Sequence, residues 1–188
     1  MKEAKTVYFD KIGPENTDDV LRLSKERAEE LGIKTIVVAS STGATALKAV
    51  DVFDGQKVVA VSYFTGFKEP GEQRFLSENR EKFEARGGTV VTMTHAFGGL
   101  NAAIRDKFST HLFGDIMANT LRIFGHGLKV AVEITMMATD AGQTDVDKEI
   151  IAIAGKGKGA DTAVVVTPVN VTRFFDMKVK EIICKPRL

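Results

Sequence analysis

The chain has 188 residues, 44% of them apolar, and a formal net charge of +1. That is enough apolar material for one domain with its own core, and it excludes an intrinsically disordered chain. A balance this close to neutral gives no field to gather nucleic acid or an anionic membrane, and neither is expected as a partner.

The single cysteine, Cys184, leaves no disulfide within the chain and no cysteine-built metal site, which points to a cytoplasmic location. The start, M-K-E-A-K-T-V-Y-F-D, has no apolar signal core. The longest apolar stretch, Leu128 to Ala138, is interrupted by Lys129 and Glu133 and is too short to span a membrane.

In chain order, Thr6 to Phe9 reads as a short strand. Asn16-Thr17-Asp18-Asp19 then opens a helix, with a capping side chain followed by acids where they complement the helix dipole. Val20, Leu21, Ser24, Ala28 and Leu31 share one face of it, and Gly32 stops it. Lys34 to Ala39 is a strand with little alternation, the pattern of a strand buried on both faces in a parallel sheet.

The segment after it is S-S-T-G-A-T. Ala46, Leu47, Val50 and Phe53 then mark a second helix, and Lys57 to Ser62 a further buried strand. A Gly- and Pro-rich loop follows. Phe75, Leu76, Asn79 and Phe83 predict a third helix, ended by Gly87-Gly88, and Thr89 to Met93 the next strand. From His95 to Gly142 the pattern is mostly helical, as an insertion or cap. Leu112, Phe113, Ile116, Met117, Thr120, Leu121 and Phe124 keep helical spacing closely. The next helix, Leu128 to Asp140, is apolar on most sides, with Lys129 and Glu133 placed to pair along its one polar edge. Glu149 to Ala154, Thr162 to Thr167 and Lys178 to Cys184 read as closing strands, close enough together for a hairpin.

Strands alternating with helices predict a three-layer α/β fold with a mostly parallel, mixed sheet. With no linker or repeat, residues 1–188 form one domain, carrying the helical insertion at about 95–142.

The first candidate site is Ser40, Ser41, Thr42, Gly43, Ala44 and Thr45, at the carboxyl end of a buried strand and the start of a helix. In open α/β sheets ligands bind beyond the carboxyl ends of strands. The first N–H groups of a helix lack internal partners and carry partial positive charge. Hydroxyls add donors without bulk. A single helix cap accounts for one hydroxyl, not four. No lysine follows, so a triphosphate-binding P-loop is excluded and a terminal phosphate is the better match.

Gly155-Lys156-Gly157-Lys158-Gly159 superficially resembles a dinucleotide fingerprint, but the residues after it, A-D-T-A-V-V-V, form a strand where that fingerprint needs a helix. It reads as either a plain turn or a tight loop where Gly155, Lys156 or Gly157 meets a ligand. Thr94 and His95 follow the Thr89–Met93 strand, on the same rim as Ser40 to Thr45 if the strands are parallel. His95 is placed as a phosphate or ring contact, as an acid or base, or as an ordinary polar rim residue. Thr65, Gly66 and Phe67, within Y-F-T-G-F, offer aromatic stacking or core packing. His95, His111 and His126 lack ligand-like spacing, so no metal site is expected, and no G-x-S-x-G elbow is present. No residue is assigned a catalytic role.

The run Ile33-Lys34-Thr35-Ile36-Val37-Val38 followed by S-S-T-G-A-T-A, a helix and Lys57-Val58-Val59-Ala60-Val61 resembles the C-terminal domain of pyruvate kinase. Glu149 to Thr167 is similar to that domain's last strands. The whole chain resembles the small stand-alone pyruvate kinase C-terminal-domain-like proteins known mainly from archaea. The resemblance implies that Ser41, Thr42, Gly43 and Thr45 contact a phosphate. Ala44 stands where the enzymes often carry arginine, a departure that argues against a sugar bisphosphate. With no catalytic barrel, pyruvate kinase activity is not expected. The stand-alone relatives imply flavin mononucleotide (FMN) as the phosphorylated small molecule. Two alternatives remain open: a flavin-dependent reductase with His95 or Lys156 near the ring, and a ligand-regulated homo-oligomeric interaction module working through the 112–124 helix.

Overall fold

The computed structural model describes residue 1 and residues 3–187. Its strands are β1 (Val7–Phe9), β2 (Thr35–Ala39), β3 (Lys57–Ser62), β4 (Thr89–Thr92), β5 (Ile150–Ala154), β6 (Thr162–Thr167) and β7 (Lys178–Pro186). Its helices are α1 (Thr17–Leu31), α2 (Ala44–Val52), α3 (Ser77–Glu84), α4 (Leu100–Phe108), α5 (Phe113–Arg122) and α6 (His126–Asp140). All seven strands form one sheet in the order β1-β7-β6-β5-β2-β3-β4.

The sheet is mixed, as the sequence predicts. β5, β2, β3 and β4 are mutually parallel, with Val38 opposite Ala60 on one side and Ile153 on the other. β6 runs antiparallel to both β5 and β7, and β7 is parallel to β1. The unalternating strands are those with two covered faces. Ile36, Val38, Val58, Ala60, Ile151 and Ile153 point to the side covered by α1, α2 and α3. Val37, Val59, Val61, Ala152 and Val164 point to the side covered by α6 and the inner face of α5. Side chains one residue apart leave a strand on opposite faces, so the near-continuous apolar runs are the signature of this sandwiching. Phe53 and Phe83 are fully buried in the first layer, each stabilising the fold by about 1.5–3 kcal/mol. The second layer is supplied largely by α6, which lies against β5, β2 and β6.

Several local expectations need correction. Asn16 does not cap α1. Its backbone is already helical, in a 3-10 turn over Pro14–Asn16, and its amide donates instead to the carbonyls of Lys11 (2.8 Å) and Gly13. Leu76 lies outside α3 and is exposed, because α3 begins one residue later. The regular apolar spacing over 112–124 does form a helix, α5, and Met117 and Leu121 pack inward beside Gly114, Asp115 and Ala118, but Phe113, Ile116 and Phe124 face outward. Lys129 and Glu133 do pair, yet not along a polar edge: both are buried.

Candidate functional site

Because β2, β3, β4 and β5 run parallel, the loops after them emerge on one rim. A cavity of about 310 Å3 lies there, under the first three turns of α6. That is the lower end of the range for small-molecule sites. Four segments that the sequence singles out line it. Ser40, Ser41 and Thr45 follow β2; Tyr63 and Phe67 follow β3; His95 follows β4; Gly155, Gly157 and Gly159 follow β5.

At the β2 end, one hydroxyl acts as a cap. Ser40 Oγ accepts the Ala46 N–H at 3.2 Å, and the Ser40 N–H donates to the Val61 carbonyl. The cap reaches across Gly43, which turns the chain at φ +96° to start α2. A Cβ on Gly43 would lie 2.6 Å from Asn79 Cβ and 2.7 Å from Phe75 Cε1, so the turn is tight as well as left-handed. Asn79 Nδ2 and the Leu76 N–H both donate to the Thr42 carbonyl, anchoring the loop from behind. This leaves the N–H groups of Ala44 and Thr45 without a partner inside α2, close to the Ser41 and Thr45 side chains on the cavity wall.

The aromatic end is a cluster. Tyr63 and Phe67 stack with centroids 4.1 Å apart, and His95 meets them edge-on at 5.3 and 5.1 Å. Phe64 closes a third side of the imidazole at 5.8 Å, and Arg74 lies over the Tyr63 ring. Burial among these rings pushes the His95 pKa down. Glu133 partly opposes that shift, and the Lys129 ammonium adds to it. His95 is therefore a neutral imidazole at pH 7.

The roof is one stripe of α6: His126, Lys129, Val130, Glu133, Ile134 and Met137, at helical spacing. Lys129 Nζ and Glu133 Oε2 are paired, and Glu133 Oε1 accepts the Phe97 N–H at 3.1 Å. His126 occupies the first turn of α6. Its pKa is lowered by burial first, then by Arg122, Lys129 and Lys156, against Glu133. Arg122, at the end of α5, also reaches the cavity, with Asn119 rather than a carboxylate as its hydrogen-bond partner. The lining thus holds two cations and one carboxylate beside the positive end of α2, an electrostatic setting that favours an anion.

The structure places Ser40, Ser41, Thr45, Phe67, His95, Gly155 and Gly157 on this wall. It places Thr42, Gly43 and Ala44 directly behind it. Thr65 and Gly66 are occupied within their own loop, by Gln73 and Glu72. Thr94 packs its methyl near Gly99, and Lys156 points outward. Asp161 holds the glycine loop from below: burial raises its pKa, and its carboxyl accepts from the Thr162 hydroxyl and from the Gly13 and Lys156 N–H groups. Sequence reasoning missed Arg122, His126, Lys129 and Glu133 as cavity residues. The available signal was three ionisable residues at helical spacing on a helix otherwise too apolar to face water.

Among the described residues no group of three or more His, Cys, Asp or Glu side chains is arranged to hold a metal, and no helix is long and apolar enough to cross a membrane.

A mixed sheet covered on both faces, with a cavity at the carboxyl ends of its parallel strands, defines an α/β domain. The chain belongs to the family described as pyruvate kinase, alpha/beta domain, whose model matches residues 18–166. Solved structures similar to it include a pyruvate kinase from Cryptosporidium parvum, with 15% identity and a TM-score of 0.44, covering 81% of this chain and 23% of that one. A second C. parvum pyruvate kinase structure has 13% identity and a TM-score of 0.35, covering 73% and 20%. A third, in complex with ADP, has 13% identity and a TM-score of 0.37, covering 89% and 23%. The chain therefore spans less than a quarter of the length of those enzymes.

Proposed function

We propose that the chain is a binding protein for a phosphorylated small molecule, best matched by FMN. The observation that carries this reading is the meeting, in one cavity, of an open helix N-terminus and a cluster of aromatic rings. The residues present fit such a ligand. The Ala44 and Thr45 N–H groups and the Ser41 and Thr45 hydroxyls are donors of the kind a phosphomonoester takes. Phe67, Tyr63 and His95, with Val130, Ile134 and Met137 opposite, suit a flat, mostly apolar ring. Arg122 adds a positive charge that no carboxylate among the described residues pairs with. FMN bound here would supply redox or regulatory chemistry, while the residues of this chain bind it, orient it and screen it from water.

The experiment is a fluorescence titration of the purified chain with FMN and, in parallel, with riboflavin, which has the ring but no phosphate. FMN is expected to bind at micromolar concentration or below, and riboflavin at least tenfold more weakly. No FMN binding at tens of micromolar rejects the reading, and equal affinity for the two removes the phosphate from it.

A further inference from the structure

We infer that the outward face of α5 is a self-association surface, and that its occupant is a second copy of this chain. α5 carries apolar residues on two sides. Met117 and Leu121 pack inward with Gly114 and Ala118, while a second set, on α5 and just past its end, faces solvent: Phe113 is 65% exposed, Ile116 59%, Ile123 75% and Phe124 50%. The neighbouring α4 adds Leu100 at 81% and Phe108 at 69%. α4 is tied to α5 by the Arg105–Asp115 ion pair and by Asn101 packed against Gly114.

Taking a large apolar side chain at roughly 200 Å2, these six residues expose on the order of 800 Å2. A typical monomer's largest apolar patch is only about 300–600 Å2, whereas a stable interface takes about 800 Å2 from each partner. One copy of this face therefore supplies nearly the whole of one side of a standard interface.

Three further features select a second copy as the occupant. Phe113, Ile116, Thr120 and Ile123 repeat with the 3-4-3 spacing of a helix-pairing seam. The seam is self-complementary: an antiparallel two-fold pairing sets Phe113 of one copy near Ile123 of the other and Ile116 near Thr120. The α5 seam of Phe113, Ile116, Thr120 and Ile123 is uncharged, so a copy of it meets no like charge, and at a net charge of +1 whole chains do not repel each other at a distance. A membrane surface suits α5 less well, because its one basic residue, Arg122, turns to the cavity rather than flanking the apolar face. Arg122 and Ile123 are adjacent, so the same helical turn serves the cavity on one side and the association face on the other.

The test is light scattering on the eluting peak from size-exclusion chromatography of the full chain at tens of micromolar. The wild type is expected at twice the 20.4 kDa chain mass or a higher even multiple. Ile116→Glu is expected at the monomer mass with unchanged circular dichroism, and Leu76→Glu, at an exposed apolar position away from this face, at the wild-type mass. If Ile116→Glu fails to fold, Thr120→Lys is expected to give the monomer. A monomeric wild type overturns the inference, as does a folded Ile116→Glu chain that keeps the assembly. So does a monomer that instead sediments with phosphatidylserine vesicles, which would assign the face to lipid.

Discussion

Lys129 and Glu133 form an ion pair one turn apart on α6, with both side chains shut away from bulk water on the roof of the cavity. Coulomb attraction inside a protein is strong, but it must offset the loss of hydration of both ions, so the pair's net contribution is modest. Removing one partner differs sharply from removing both. Lys129→Met leaves a buried carboxylate supported only by the Phe97 N–H, and is expected to cost about 3–5 kcal/mol. Adding Glu133→Gln removes the charge while keeping an oxygen for that N–H, and most of the loss should be recovered. Urea unfolding of the wild type, the single and the double variant measures the difference. A double variant no more stable than the single would show that the penalty lies in packing rather than in charge.

The same roof makes stability depend on pH. His95 and His126 both have folded-state pKa values below the ordinary histidine value, chiefly through burial. In the unfolded chain each takes up a proton near pH 6.5. Their contribution to stability is therefore complete above that pH and is lost as the pH falls from about 6.5 toward the folded values. The urea midpoint should decline between pH 7 and 5.5, before most carboxylates titrate. His95→Gln should flatten part of that decline and His126→Gln a further part. A wild-type midpoint constant across this window would mean that the imidazoles are not held neutral.

Gly43 and Gly55 both have positive φ, at +96° and +76°, yet the consequences of adding a methyl differ. At Gly55 nothing lies within 4 Å of the new Cβ. Gly55→Ala is expected to cost only the left-handed backbone term, about 1–2 kcal/mol. At Gly43 the Cβ also meets Asn79 and Phe75, adding about 1–3 kcal/mol of overpacking. Gly43→Ala should lower the thermal midpoint clearly more than Gly55→Ala and should also weaken FMN binding, because it displaces the start of α2. Equal midpoints for the two variants would show that α3 can yield.

The fold was legible because its strands are sandwiched. The apolar runs at 35–39, 57–62, 150–154 and 162–167 are buried on both faces, and Gly32 ends α1 where the sequence places the stop, although α3 ends at Glu84, before Gly87-Gly88. The half of the site contributed by strand-following loops was legible for the same reason, since parallel strands bring the loops of residues 40–45, 63–67, 95 and 155–159 to one rim. The other half was not. Arg122, His126, Lys129 and Glu133 sit on helices whose spacing looks alike for an edge, a core or a cavity wall, and only tertiary packing decides which. Asn16 shows the reverse failure. A good capping residue in the right place found stronger partners in the Lys11 and Gly13 carbonyls.

Cys184 lies in β7, fully buried, and burial raises its thiol pKa to about 12. Only about one molecule in ten thousand would carry a thiolate at pH 8, and the thiolate is the reactive form. Ellman's reagent should therefore leave the native chain unmodified over hours and react with one thiol per chain once urea unfolds it. Rapid labelling of the folded chain would mean that β7 opens locally, away from β1 and β6.

Ser40 and Ser41 are adjacent and chemically identical, yet they should fail in opposite ways. Ser40 Oγ already accepts the Ala46 N–H. Ser40→Ala is expected to cost about 1 kcal/mol of stability, the value of a lost helix cap, while FMN affinity falls by less than about threefold, one hydrogen bond's lower limit. Among the described residues Ser41 Oγ has no hydrogen-bond partner, and Ser41 faces the cavity. Ser41→Ala should leave the urea midpoint within about 0.5 kcal/mol of wild type and weaken FMN by roughly tenfold, through one lost hydrogen bond to a charged group. Riboflavin separates the two readings further. If Ser41 meets the phosphate, its removal should not alter riboflavin affinity, because that ligand has nothing for the hydroxyl to bind. A Ser41→Ala chain that binds FMN as tightly as wild type would move the phosphate away from α2, and Arg122 with the first turn of α6 would be the next place to seek it.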